Sequence, residues 1–306
     1  MVCVETGATG YDEGQTISPG GACVVSDEWE VGGVHVTKVE EQIWPISPRW
    51  LFANADYDTI KSHADWLAPH YVTEDFKLKL SIHSFILRTA HHTILVDSCV
   101  GNHKERNVDA WNQMESPYLE RLAAAGVQPE DVDFVFCTHL HVDHVGWNTR
   151  LKDGRWVPTF PNARYLYNKT EFEHWSNSDD EFQAPVMADS VNPIIEARLA
   201  DLVADDHQID DGVHVVPTPG HTPGHSSVML GGTAGVITGD MVHHPVQLAD
   251  PHIYSKADSD SPMAIATRVR CFSEWCNDRT RVLGTHFASP TVVGLEAAGK
   301  GYKLVT

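Results

Sequence analysis

Four short apolar runs in this chain each stop at residues of the types that can bind metal ions, and no other feature limits the fold as much. The first run, VDFVFCT, is β-branched and aromatic enough to read as a buried strand. HLHVDH follows at once and packs His139, His141, Asp143 and His144 into six positions. His139 and His141 are two apart at a strand end, so both side chains leave on one side. A turn after them lets Asp143 and His144 swing toward a neighbouring point, while Gly146 relieves the backbone. The second run, GVHVVPTP, leads into His221; the third, AGVITG, into Asp240; the fourth, TRVLGT, into His286. Imidazole and carboxylate are the donors that zinc prefers, and catalytic sites keep a place for water. A lone histidine is more often a packed or surface residue than a ligand. Here ligand-type residues lie just past four apolar strands, as expected for one shared edge of a sheet whose rigid scaffold carries chemical loops. The first stretch thus reads as half of a dinuclear metal centre, and His225, one turn beyond His221, reads as structural.

The rest of the composition narrows the partners. With 22 basic against 42 acidic residues in 306, the formal net charge is −20. Such a field repels phosphate backbones and anionic lipid, so nucleic-acid and membrane-surface binding are not expected. No apolar run is long enough to span a bilayer, and the start lacks the basic and apolar segments of a secretory signal. The six cysteines form neither a C-x-x-C pair nor a disulfide framework, which points to reduced thiols in a cytoplasmic protein.

Strands and helices alternate without a G-x-G-x-x-G opening, so the layers are α/β but not a dinucleotide-binding fold. KLSIHSFILRTAHHTILVDS reads as two strands around a turn near Ala90–His92. Helices are expected after Ser116-Pro117, near Thr170, from Asn192-Pro193 and over 262–276. In the third of these, Ile195, Leu199 and Leu202 fall at i, i+4 and i+7, the spacing of one helical face. Residues 1–30 read as a loose or hairpin-like start, and 1–75 as an extension packed on a domain formed by 76–306. That extension is rich in aromatics, among them Trp44, Trp50, Phe52 and Trp66.

THLHVDH, PGHTPGHS, TGD and GTH together resemble the metallo-β-lactamase superfamily over roughly residues 80–306. The resemblance implies an αββα four-layer sandwich with metals at one edge. One metal would take His139, His141 and His221, the other Asp143, His144 and His286, with Asp240 bridging. Asp97, in ILVDS, matches the position that orients a ligand histidine. Cys99 stands where many members have glycine, a conformational departure. The stretches EAAGKGYKLV and DSDSP…R are more similar to the branch holding methyl parathion hydrolase and several lactonases. That branch implies an N-terminal extension and a homodimer. Its acyl-homoserine lactonases place a tyrosine three residues after the bridging aspartate, where this chain has His243.

The chemistry expected is hydrolysis of a small, neutral, moderately hydrophobic lactone or ester. A water ionised between two divalent cations, most simply zinc, attacks the carbonyl, and one cation steadies the developing charge. Asp143 is the expected proton shuttle and His243 a second one. Trp147, with Trp44, Trp50, Phe52 and Trp66, is the expected substrate wall. Phosphotriesters, aryl esters and lactams are alternative substrates on the same centre; a degenerate binding protein is the non-enzymatic alternative.

Overall fold

The computed structural model describes residues 27–306. Cys3, Cys23 and most of the expected loose start lie outside the described residues.

In chain order the first strands are β1 (Glu28–Val31), β2 (Val34–Ile46), β3 (Leu78–Arg88), β4 (Thr93–Val96) and β5 (Phe134–Cys137). A hairpin of β6 (Thr149–Lys152) and β7 (Arg155–Pro158) precedes β8 (Arg164–Asn168) and β9 (Ala200–Val203). Apart from the hairpin, these pair into one sheet in the order β1-β2-β3-β4-β5-β8-β9. The second sheet follows chain order: β10 (Gln208–Asp210), β11 (Val213–Pro217), β12 (Ser226–Leu230), β13 (Gly235–Ile237), β14 (Arg281–Leu283), β15 (Val292–Ala298) and β16 (Gly301–Val305).

Three apolar clusters show how the layers stack. One joins Val36, Phe85, Val96 and Phe136 of the first sheet to Val215, Val228, Ile237 and Leu283 of the second, and so fills the space between the sheets. A second covers the outer face of the first sheet, with Tyr118 and Leu122 of one helix, Trp175 of another, and Val186 to Ile194. The third seals the outer face of the second sheet beneath Cys271, Phe272 and Trp275, together with Leu51, Ile60 and Leu67. Helix, sheet, sheet, helix is the αββα sandwich. Covered on both faces, β4 (TILV) and β5 (FVFC) read as near-continuous apolar runs rather than alternating ones.

Strand direction then places the chemistry. β4, β5 and β8 run parallel, as do β13 and β14, and β11 shares their sense because two antiparallel pairings separate it from β13. The segments leaving the C-terminal ends of β4, β5, β11, β13 and β14 therefore gather at one edge of the sandwich.

Three expectations change. Residues 28–46, read as part of an extension, form two strands of the first sheet, and β2 pairs with β3 along its whole length. The helix from Asn192 stops at Glu196, so Leu199 lies in the following turn and Leu202 in β9; Ile195 and Leu202 are exposed. A helical spacing that crosses a turn puts nothing on a common face. β15 was not foreseen, because VVGLEAA mixes glycine and alanine into a short run. Among the described residues no helix is long and apolar enough to cross a membrane, and Cys99, Cys137, Cys271 and Cys276 are free thiols.

Candidate metal centre

Ligand-type atoms converge at that edge in overlapping groups: His139, His141 and His221; His139, His144 and Asp240; Asp143, His144 and His286; and His221, Asp240 and His243. Within each group the atoms lie within 4.8 Å of one another. Asp240 sits between two sets of imidazoles. Its Oδ1 is 3.0 Å from His286 Nε2 and 3.4 Å from His144 Nε2. Its Oδ2 is 3.5 Å from His221 Nε2, 3.9 Å from His139 Nε2 and 3.2 Å from His243 Nε2. Asp143 stands 3.6 Å from His144 Nε2 through Oδ1 and 3.5 Å from His286 Nε2 through Oδ2.

Three of the imidazoles are held in one sense. His144 Nδ1–H donates to Asp97 Oδ2 at 3.0 Å, His221 Nδ1–H to Asp258 Oδ1 at 2.8 Å, and His286 Nδ1–H to the Ser81 carbonyl at 3.0 Å. A proton fixed on Nδ1 leaves the Nε2 lone pair for the centre, the tautomer a metal ligand needs. Burial pushes His139 and His141 well below the usual imidazole range, which keeps them neutral. Burial acts the same way on His144, but Asp240, Asp143 and Asp97 outweigh it and hold that ring well above its usual value. The centre attracts positive charge.

A divalent cation fits this donor set. His139 Nε2, His144 Nε2 and Asp240 Oδ1 are buried and have no hydrogen-bond partner, an arrangement that is costly for polar atoms unless something else satisfies them. The oxygens and imidazole nitrogens are those borderline metals take.

The supports are local and specific. Thr138 donates to Asp97 through both its backbone N–H and its hydroxyl, which pins the Asp97 carboxylate under His144. Asp97 and Cys99 both adopt left-handed backbone, φ +58° and +51°, the conformation a glycine would take without strain. His225 Nε2 accepts the Asp240 backbone N–H at 2.8 Å, and burial drives the ring down to about 3. It is the structural histidine expected.

Two supports were missed from sequence. Glu171 accepts the backbone N–H groups of Leu140 and Gly224, each at 3.0 Å, and so ties the His139–His144 loop to the His221 loop. No side chain fits at residue 224, since a Cβ there would stand 2.2 Å from Glu171 N. Asp258 is the other. Glu171 shows only as a helical residue three past Asn168, and nothing in DSDSP alone tells which aspartate turns inward.

The centre opens into a cleft of about 940 Å³ whose lining includes Trp44, Trp50, Trp111, Trp175 and Phe182. Trp44 packs at 5.0 Å from Trp50 and 4.5 Å from Trp111, ring centroid to centroid. The other wall residues expected from sequence lie elsewhere. Trp147 is 4% exposed, stacks on Tyr118, and commits its indole N–H to Glu41 Oε1 at 2.6 Å. Glu41 reaches it because β2 carries a bulge between Glu40 and Gln42. Phe52 is 1% exposed in the outer core of the second sheet. Trp66 packs against that same core and donates to His63. Trp111, Trp175 and Phe182 take their place; Phe182, 73% exposed, stands at the rim.

Residues 79–268 match the family profile of the Metallo-beta-lactamase superfamily. The chain belongs to this superfamily. Among curated superfamily relatives, an N-acyl homoserine lactonase of Bacillus sp is 26% identical over 165 residues, 50% of this chain and 59% of that protein. N-acyl homoserine lactonase AttM of Rhizobium radiobacter is 29% identical over 117 residues, 37% of this chain and 41% of that protein. The chain thus matches little more than half the length of the first relative. Of solved superfamily structures, the hydrolase AbOPH of the beta lactamase superfamily is 26% identical, with TM-score 0.74 over 92% of this chain and 96% of that one. AidC, a dizinc quorum-quenching lactonase, gives TM-score 0.77 at 17% identity over the same 92% and 96%. At that identity it bears on the fold alone.

Proposed function

We propose that this protein is a dinuclear metal-dependent hydrolase that opens a neutral lactone carrying an apolar chain. The observation that carries the reading is the placement of Asp240, one carboxylate oxygen toward His144 and His286 and the other toward His139 and His221, at the base of a tryptophan-lined cleft. His139, His141 and His221 would hold one cation, Asp143, His144 and His286 the other, and Asp240 both. Two divalent cations, most simply zinc, would supply ionised water at neutral pH and polarise the substrate carbonyl.

The chain's own residues do the rest. Asp143 lines the cleft and faces two imidazoles, so its carboxylate is placed to take the nucleophile's proton and pass it to the departing alkoxide. His243 also lines the cleft; its Nδ1 is buried without a partner, a second place to hold that proton. Trp44, Trp50 and Trp111 offer an apolar wall to an acyl chain. The curated relatives named N-acyl homoserine lactonases support the substrate class.

The test joins metal quantification to a pH-monitored screen of lactones, aryl esters, phosphotriesters and β-lactams. We expect two metals per chain and lactones as the fastest class. Asp240→Ala should abolish turnover and drop metal content below two. Full rate with both metals retained in that variant would refute the bridging role; a faster phosphotriester or lactam would refute the substrate.

A further inference from the structure

The helix Ser261–Trp275 carries three of the segments that build the His221 side of the centre. Its Asp260 cap accepts Met263 N–H, and its buried face is Ala264, Thr267, Arg268, Cys271, Phe272 and Trp275. Thr267 Oγ1 donates to the Pro219 carbonyl at 2.7 Å, and the backbone N–H groups of Ser259 and Asp260 donate to His221 O and Gly220 O, each at 2.9 Å. Gly220 approaches so closely that a Cβ there would stand 2.3 Å from Ala264 N.

Arg268 is the unusual member of this face. It is fully buried. Its Nε donates to Met241 O at 2.8 Å, and its Nη1 to Pro251 O at 3.0 Å and Ile253 O at 2.7 Å, while Nη2 has no partner. Met241 follows Asp240, and residues 251–253 begin the segment that reaches Asp258. Asp258 in turn accepts His221 Nδ1–H at 2.8 Å and Ser255 N–H at 3.0 Å, with its side chain wholly buried. No salt bridge to Arg268 occurs among the described residues, and Asp258 is the charged group whose field acts on it. Burying a guanidinium without a bonded carboxylate is expensive, and the three carbonyls it bonds would each lose a donor if an apolar side chain replaced it. Packing alone does not call for a charge here.

We propose that Arg268 is a positioning residue for the His221 half of the centre. One rigid guanidinium fixes the turn carrying Asp240 against the segment carrying Asp258, so that His221 is met by Asp258 on Nδ1 and by Asp240 near Nε2. The inference rests on the metal-centre reading above.

The test uses the full chain, stripped of metal and titrated with zinc against a chromophoric chelator, beside thermal unfolding of the stripped protein. For Arg268→Met we expect one of two zinc equivalents to weaken by about 10- to 100-fold, the usual effect of losing support behind a ligand. The other equivalent, which shares only Asp240 with this half, should weaken less, and unfolding temperature should fall because three buried carbonyls each lose a donor. Asp258→Asn should weaken one equivalent similarly, and the double variant should fall well short of the product of the two effects, because both act through His221. Arg268→Lys, which keeps the charge with fewer donors, should recover part of the loss. Wild-type affinities in Arg268→Met, or equal weakening of both equivalents, would overturn the proposal. If Arg268→Met does not fold, Arg268→Lys decides: one equivalent weakened more than the other supports it, neither weakened or both weakened equally overturns it. Wild-type protein binding fewer than two zinc ions fails the metal-centre reading itself, in an arm no variant touches.

Discussion

Asp97→Asn is the sharpest perturbation of the centre, because it replaces one acceptor and its negative charge with a donor while keeping the side chain's shape. Asparagine has the same shape and tolerates the left-handed backbone at this position about as well as aspartate. Its Oδ1 can still accept from Thr138, but its amide then faces His144 Nδ1 across the present 3.0 Å bond. Two donors cannot share that bond. The imidazole must move its proton to Nε2, the atom 3.4 Å from Asp240 and 3.6 Å from Asp143, and thereby lose the lone pair it would offer a cation. A hydrogen bond to a charged group contributes about 1.5–3 kcal/mol. At about 1.4 kcal/mol per decade that is roughly 10- to 100-fold in affinity, the range typical for supports of metal-binding histidines. Competitive chelator titration should find one zinc equivalent weakened by that factor, and kcat should fall at limiting zinc and recover in excess. The metal-free protein should unfold within a few degrees of wild type. Unchanged zinc affinity and kcat would show that His144 is not held as a ligand through Asp97.

Other perturbations separate the wall from the core. Trp44→Ala should raise KM for long-chain lactones by roughly tenfold at little cost in kcat, through lost apolar contact; an unchanged KM would remove Trp44 from the substrate wall. Trp147→Phe strips a donor from buried Glu41, so unfolding should become about 1–3 kcal/mol easier while KM stays put; a KM effect without a stability effect would restore Trp147 to the cleft. Burial pushes His225 down to about 3 and His244 to about 4, so both take up protons on unfolding. Their contribution to stability is complete above about pH 6.5, the unfolded imidazole value, and is lost as pH falls toward 4. Metal-free protein should therefore melt progressively lower from pH 7 to pH 4.5, and a flat profile would contradict their buried, neutral state.

The sequence by itself carried the site's skeleton. Apolar runs ending in His139–His144, His221, Asp240 and His286 announce strands whose last residues share an edge, because strand burial and strand ends are local properties written in short windows. The same motifs carry the family resemblance that implies the αββα class. What sequence could not decide was which polar or aromatic side chain faces the edge from farther away. Trp147 stands beside the ligand motif in the chain yet turns into the core, because a bulge in β2 delivers Glu41 to its indole. Trp111, Trp175 and Phe182 reach the cleft instead, from segments that only the sheet order brings near. Glu171, Asp258 and Arg268 likewise act across 53, 37 and 27 residues of chain. Such contacts depend on how layers pack and where crossovers land. That is a property of the whole sandwich, which no short window of sequence contains.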